Sequence, residues 1–396
     1  MRYLQVISTL DPAGGGPADG VARLAEASMR LGHEVEIATL DEPSSPFGAD
    51  LPFPVHQLGP GRLGAYGYAP QLTVWLKRNA KRFDAVIVNG LWQHLGLAVR
   101  AALHRGSVPY FVFTHGMLDP WFKQQYPAKH LKKLLYWPWG EYRVLRDARA
   151  VLFTCDEERL LARESFGLYR VKEAISPYGT PGSAGSPAAQ REAFLSAFPH
   201  LRGRRLLLFL GRIHPKKGCD LLIEAFARCA IQHPGLHLVI AGPDPVNWRR
   251  DLLELARARG TAELTFAGML TGDSKWGAFR ASEAFILPSH QENFGIAVVE
   301  SLACGVPVLI SNKVNIWREI DRANAGLVAD DTLEGTVGLL RRWMTLDSVA
   351  RTRMSENGVR LFQASFHIES AARRLVQVLE AHAVAPDSLR RLEAAR

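Results

Sequence analysis

Apolar positions along the chain follow two rhythms. Short, nearly continuous runs of aliphatic and aromatic residues alternate with longer stretches in which apolar residues recur every three or four positions. In the first half the strand-like runs are Leu4–Thr9, Val35–Thr39, Ala85–Val88, Tyr110–Thr114 and Ala150–Thr154. In the second half they are Leu206–Leu210, His237–Ala241, Leu264–Ala267, Ala284–Leu287 and Val306–Ile310. Continuous runs suit parallel strands covered on both faces by helices. Between the first two, Val21, Leu24, Ala25, Met29 and Leu31 mark a helix from about Asp19 that Gly32 ends. Strand, helix, strand repeated through both halves predicts an α/β chain of two doubly wound domains.

The segment from Ser176 to Pro187 is rich in Pro, Gly and Ser and is expected to be an exposed junction, with 180–187 acting as a hinge. The predicted domains are 1–180 and 181–370, followed by a helix and tail over 371–396 that would return to the first domain. Ala372, Leu375, Val376 and Leu379 have the helical spacing, and the last ten or so residues are charged and expected to fray. A length of 396 residues is ample for two cores.

Hydrophobic residues are 47% of the chain and charged residues 22%, which excludes wholesale disorder. A net charge of +9 implies an acidic partner without choosing among nucleic acid, anionic membrane and phosphorylated ligand. The four cysteines, 155, 219, 229 and 304, form no C-x-x-C pair and read as reduced thiols of a cytoplasmic protein. No apolar run reaches the ~18 residues of a membrane span. The apolar run at the start is too short for a signal peptide and breaks at Asp11-Pro12.

Three segments carry candidate chemistry. The first is Gly14-Gly15-Gly16 between the first strand and its helix, where amides and a helix dipole can meet a phosphate, or where a tight turn is simply needed. The second is Gly211-Arg212-Ile213-His214-Pro215-Lys216-Lys217-Gly218, a cationic strand-to-helix loop at the edge where α/β sheets bind ligands. Arg212 can grip a phosphate with two N–H groups and Lys217 can add a point charge. The third runs from Pro288 through Glu292-Asn293-Phe294-Gly295 into an apolar helix carrying Glu300 and stopped by Gly305. A carboxylate in so apolar a helix needs a partner or a ligand: ribose hydroxyls, or a cation on a neighbouring helix.

Taken together these segments resemble the retaining glycosyltransferases of family 4, which have the GT-B fold of two Rossmann-like domains facing across a cleft. The resemblance covers nearly the whole chain. It rests on the glycine turn followed by Val21, Leu24 and Leu31-Gly32-His33-Glu34-Val35, on Gly211-Arg212 with Lys217-Gly218, and on Glu292 and Glu300 separated by seven residues. Thr114-His115-Gly116-Met117-Leu118-Asp119-Pro120-Trp121 is similar to a subgroup that builds bacterial polysaccharides.

The resemblance implies a first domain for acceptor, a second for a nucleoside-diphosphate sugar, and hexosyl transfer with retention. The acceptor would be a glycan or a polyprenyl-diphosphate-linked oligosaccharide in surface polysaccharide synthesis. Arg212 and Lys217 would stabilise the leaving diphosphate, Glu292 would lie by the donor sugar, and His115 would face it. Asn293, Phe294 and Gly295 would reach sugar hydroxyls and phosphate, Glu300 the ribose, and Gly15 and Gly16 the phosphate from the other domain. The base would meet main chain near Gly242, Met269 and Leu270. With no Asp-x-Asp in a suitable loop, no metal and no cofactor beyond the donor are expected.

One departure is Tyr178-Gly179-Thr180 at the junction, where many relatives have Asn-Gly-Val/Ile-Asp, so a contact made by that Asp is in doubt. Two other readings are an oxidoreductase and a non-catalytic nucleotide-sugar-binding protein on the same fold. The first lacks G-x-G-x-x-G and has only Asp41 as a poor ribose ligand. Residues 121–139 mix Lys with Trp, Tyr and Leu. They suit either docking on an anionic membrane, at the inner face of the cytoplasmic membrane, or a helix packed by its aromatics with solvated lysines. No nucleic-acid module accompanies them.

Overall fold

The computed structural model describes residues 1–12 and 16–383, in two compact units. The first comprises Met1–Gly179 and the chain from Ile368; the second is Thr180–His367. The helix Ile368–Ala383 therefore belongs to the first unit.

The first unit is built on β1 (Arg2–Val6), β2 (Glu34–Thr39), β3 (Val55–Gln57), β4 (Ala85–Asn89), β5 (Tyr110–Phe113), β6 (Ala150–Phe153) and β7 (Glu173–Ile175). They form one parallel sheet in the order β3-β2-β1-β4-β5-β6-β7. The helix Gly16–Arg30 begins three residues before the predicted Asp19 and buries Val21, Leu24, Ala25 and Ser28, one stripe at helical spacing. Tyr3 Oη donates to Ser28 Oγ at 2.7 Å and fixes that stripe on β1. Ile368–Ala383 packs on the same helix and adds Leu375 and Leu379 to a core shared with Tyr3, Ile37 and Phe111. The other face of the sheet is covered by Leu72, Leu76, Leu95, Val99 and Val144.

The second unit repeats the plan with β8 (Arg205–Leu210), β9 (Leu236–Ala241), β10 (Leu264–Gly268), β11 (Ser282–Leu287), β12 (Val308–Ser311) and β13 (Gly326–Ala329). Its parallel order is β10-β9-β8-β11-β12-β13. In both sheets strand order reverses beside the first strand, between β1 and β4 and between β8 and β11. That opens a crevice at the carboxyl ends of those strands, the usual ligand position in such folds.

Three strands, β3, β7 and β13, have no counterpart among the sequence-predicted runs. Each lies at a sheet edge and is only three or four residues long. So short a strand gives no long apolar run, whereas β10, also at an edge, is five residues long and is among the predicted runs.

The junction also departs from expectation. Ser176, Gly179 and Thr180 are buried, and sustained exposure begins only at Ala184. Ser176 N donates to Phe153 O, prolonging the β7 pairing, and Thr180 N donates to Phe366 O at 3.1 Å. Backbone pairing, which composition does not reveal, covers the first half of that Pro/Gly/Ser stretch.

Candidate active site

In the second unit the loops after β8 and β11 are locked together. Lys216 O accepts His290 N at 2.8 Å and lies 3.0 Å from Ser289 Oγ. Gly218 has φ 66°, and a Cβ there would lie 2.3 Å from Pro288 O, so only glycine allows this approach. Gly218 then opens the helix Cys219–Ala230. Behind the loop, Gly242 has φ 136° and a Cβ would lie 1.9 Å from Gly211 O. Gly242 N donates to Gly268 O and Ile213 N to Pro243 O, which ties the ends of β8, β9 and β10 into one floor. Gly242 thus has a structural reason of its own. Met269 beside this floor is exposed and Leu270 half-buried.

Lys217 is nearly buried and its ammonium pairs with Glu292 Oε2. Burial pushes the Glu292 carboxyl upward, but Lys217, Lys216 and the Asn293 N–H outweigh it and hold it below the usual range. Glu292 is therefore an anion clamped to a cation, not a proton donor. Arg212 is exposed, and among the described residues it has no ion-pair partner. His214 reports the local field: burial first, then Arg212, Lys216 and Lys217, lower its pKa. Three cations thus crowd one loop, and Glu292 pairs with one of them, Lys217.

The backbone around Glu292 is fixed from β12: Glu292 N donates to Lys313 O and Asn315 N to Glu292 O, both at 2.9 Å. Asn315 Nδ2 reaches Asn293 Oδ1 at 3.3 Å. Phe294 is buried edge-on to Phe366, 5.6 Å between ring centres. Gly295 caps the helix Ile296–Ala303 in the left-handed conformation. The first-turn amides of such a helix have no intrahelical acceptor and favour an anion.

Glu300 is buried in that helix, and its Oε1 lies 2.6 Å from Lys275 Nζ on the helix Gly272–Ala281. Of the two partners the sequence allowed, the structure shows the cation. A ribose contact would have to share or replace it.

In the first unit a polar chain crosses the switch point. Asn89 Nδ2 donates to Gln5 Oε1 at 2.7 Å, leaving its oxygen to accept from His115 Nε2 at 3.1 Å. The other ring nitrogen then accepts from Tyr178 Oη. Because β1, β4 and β5 are neighbours, their polar ends meet in this row. The rings of His115, Phe113 and Tyr178 form a three-membered cluster, with centres 4.8 Å (His115–Phe113), 5.1 Å (Phe113–Tyr178) and 5.4 Å (His115–Tyr178) apart. Burial pushes its pKa down to about 3, so the imidazole is neutral at pH 7. A sugar contact by the ring would exchange one of its two hydrogen bonds.

His115 has φ 51°, a strained setting for a non-glycine residue. Buried Glu158 holds it there, accepting from Thr114 Oγ1, Gly116 N and Thr154 N at 2.6 to 2.7 Å. Gly16 is the exposed first residue of its helix, and Gly15 lies outside the described residues. Asp41 accepts from Thr9 Oγ1 and Leu10 N, closing the turn after β1. Engaged in this way, it gives the dinucleotide reading no ribose ligand.

Within residues 121–139 some aromatic side chains pack and others do not. Trp137 is core, stacked on Phe166 at 4.2 Å, whereas Leu131, Leu135 and Trp139 are more than half exposed.

Known proteins match this arrangement at both ends of the chain. The family described as Glycosyl transferase 4-like domain matches residues 15–179, and Glycosyl transferases group 1 matches residues 190–360. The chain belongs to this glycosyltransferase family. A D-inositol 3-phosphate glycosyltransferase of Rhodococcus erythropolis is 30% identical over 239 residues, 58% of this chain and 52% of that protein. The match thus spans about half the length of that relative.

Two solved structures share the fold. Sucrose-phosphate synthase from Thermosynechococcus elongatus has a TM-score of 0.72 at 20% identity, covering 100% of both chains. Anabaena HepE in complex with UDP has a TM-score of 0.76 at 14% identity, covering 96% of this chain and 100% of that one. The glycosyltransferase thus has the GT-B fold of two Rossmann-like units.

The second unit of the glycosyltransferase gathers Arg212, Lys217, Glu292, Asn293, Phe294, Gly295 and Glu300 on the two loops and one helix at its switch point. His115 belongs to the first unit. Residues that sequence reasoning missed are Lys275, Asn89, Tyr178 as a ring partner, and Glu158. A signal existed for two of them. Asn89 ends an otherwise apolar strand, and Glu158 occupies the third position of a helix preceded by Thr154-Cys155, where a carboxylate reaches back to cap.

Proposed function

We propose that this glycosyltransferase moves a hexosyl group, with retention, from a nucleoside-diphosphate sugar to a hydroxyl of a glycan or lipid-linked oligosaccharide in bacterial surface polysaccharide synthesis. The observation that carries the donor side is the clamped Lys217–Glu292 pair at the second switch point, beside an exposed Arg212 that has no ion-pair partner among the described residues. Such an edge suits a diphosphate: fixed cations face the charge that develops as the sugar–phosphate bond breaks, at no cost of reorganisation. The bond from C1 to the phosphate oxygen breaks with its electron pair passing to the phosphate. The acceptor oxygen bonds C1 on the same face and its proton goes to the departing phosphate.

In this reading Arg212 and Lys217 stabilise the leaving group. Glu292 holds Lys217 and borders the sugar, and Glu300 with Lys275 borders the ribose. The amides at 293–295, the Gly242 floor and the backbone near Met269 and Leu270 complete the donor pocket. Gly15 and Gly16 serve the phosphate and His115 serves the transferred sugar, as a neutral group. The cations take the role of a divalent metal, so turnover needs none.

HepE was crystallised with UDP, which makes uridine nucleotides the first donors to try. The exposed Leu131, Leu135 and Trp139 with nearby lysines suit peripheral contact with the inner face of the cytoplasmic membrane. The test is nucleoside-diphosphate release across UDP-, GDP- and ADP-sugars, with the anomeric coupling of the product read by NMR. Retained configuration supports the proposal; no release from any donor, with or without acceptor, refutes it.

A further inference from the structure

The first unit contains a cavity that the donor chemistry does not use. It is about 60 Å³, against the ~10–15 Å³ that one water requires, so it accommodates a group of phosphate size. Lys123, Lys129, His130 and Lys133 line it together with Phe122 and Phe166, in a wall that is otherwise largely apolar. The lysines and His130 come from two successive short helices, Trp121–Gln125 and Pro127–Tyr136, separated by Tyr126.

None of the three lysines makes an ion pair among the described residues. Lys133 Nζ sits instead 4.4 Å from the centre of the Trp92 ring, and Lys129 Nζ 5.0 Å from that of Tyr126. The acidic groups nearby are engaged elsewhere. Asp119, also in the lining, accepts Trp121 N at 2.8 Å, and buried Glu141 accepts Trp92 N at 2.9 Å. Burial lowers the pKa of His130, and Lys123 and Lys133 lower it further. Lys133 is likewise depressed, by burial first, with Glu141 opposing and Lys129 adding to the shift. A cluster of cations that weaken one another's charge is relieved by an anion among them. Met117 also lines the cavity, two residues after His115, which places it at the same carboxyl edge of the sheet.

We propose that this cavity is an acceptor-phosphate site: Lys123, Lys129 and Lys133 hold the phosphate or diphosphate of a phosphorylated acceptor, with His130 as a hydrogen-bonding neighbour. It rests on the reading of the protein as a transferase with a phosphate-bearing acceptor, and it adds the residues that recognise that end. A lipid-linked diphosphate and a soluble sugar phosphate share this chemistry.

The test uses the full chain with saturating UDP present, so that the donor site is filled, and inorganic pyrophosphate as probe in calorimetry. Lys123→Gln/Lys129→Gln changes two exposed side chains and leaves the fold intact. The double variant is expected to bind pyrophosphate at least about tenfold more weakly, while Lys217→Ala binds it as the parent does. Tighter binding of geranyl diphosphate than pyrophosphate supports a lipid-borne source; tighter binding of a hexose phosphate supports a soluble one. In turnover, the double variant raises the acceptor KM and leaves donor hydrolysis unchanged. Equal pyrophosphate affinity in parent and double variant, or none in the parent, overturns the site. Loss of donor hydrolysis in the parent instead counts against the transferase reading, since this cavity takes no part in it.

Discussion

Replacing Lys217 separates a structural account of the Lys217–Glu292 pair from a catalytic one. The Lys217 side chain is 9% exposed and that of Glu292 25%. Removing one partner of a buried pair costs ~3–5 kcal/mol, because the other charge is left without compensation. Solvent reaches a quarter of Glu292, so Lys217→Met should lose about 2–3 kcal/mol. If Lys217 also meets the departing phosphate, the rate of nucleoside-diphosphate release should fall ~10²–10³-fold. Stability and activity then part company in Lys217→Met/Glu292→Gln, where no lone charge remains. Urea unfolding should show most of the lost stability restored, while donor turnover at saturating substrate stays low. Near-normal turnover in Lys217→Met, or activity returning together with stability in the double variant, would refute the leaving-group role.

Other consequences follow from the same geometry. His115, pushed by burial to about 3, should show no imidazole titration in ¹⁵N NMR between pH 8 and 5; a midpoint near 6.5 would contradict its buried, doubly bonded setting. Its folded pKa lies below its unfolded one, so it contributes stability present above about pH 6.5 and lost as pH falls toward 3. Glu141 has the opposite sign. Burial raises it from 4.5 to about 7, against the Trp92 N–H and Lys133. Its contribution is full below about pH 4.5 and lost as pH rises through 7, on the order of 3 kcal/mol. Glu141→Gln keeps an acceptor for Trp92 N and should flatten the stability profile between pH 4.5 and 7.5; an unchanged slope would count against the buried carboxyl. Turnover should survive EDTA without loss, and restoration of activity by a divalent ion after EDTA would show that Arg212 and Lys217 do not suffice.

The sequence was legible where physics leaves long traces. Nine internal strands show as apolar runs because both faces of each are covered; β10, a five-residue edge strand, shows as well, and the three shorter edge strands do not. The grouping of the second-unit candidate residues was legible because they are compressed into two loops and the helix Ile296–Ala303. Lys275 was not, since one lysine on a half-exposed helix resembles any other. Nor was the His115 row, which joins positions 5, 89, 115 and 178 only through the strand order of the sheet. Tyr178 gives the junction a role of its own: it stacks on Phe113 and bonds His115.

The central claim is that the switch point of the second unit binds a nucleoside diphosphate. Calorimetric titration of the intact protein with UDP, GDP and ADP, repeated on Arg212→Ala and Lys217→Ala, tests it directly. One nucleotide should bind the parent at one site per chain, and both variants should weaken it by about tenfold or more. No binding of any nucleotide to the folded parent, or equal binding by parent and both variants, would contradict it.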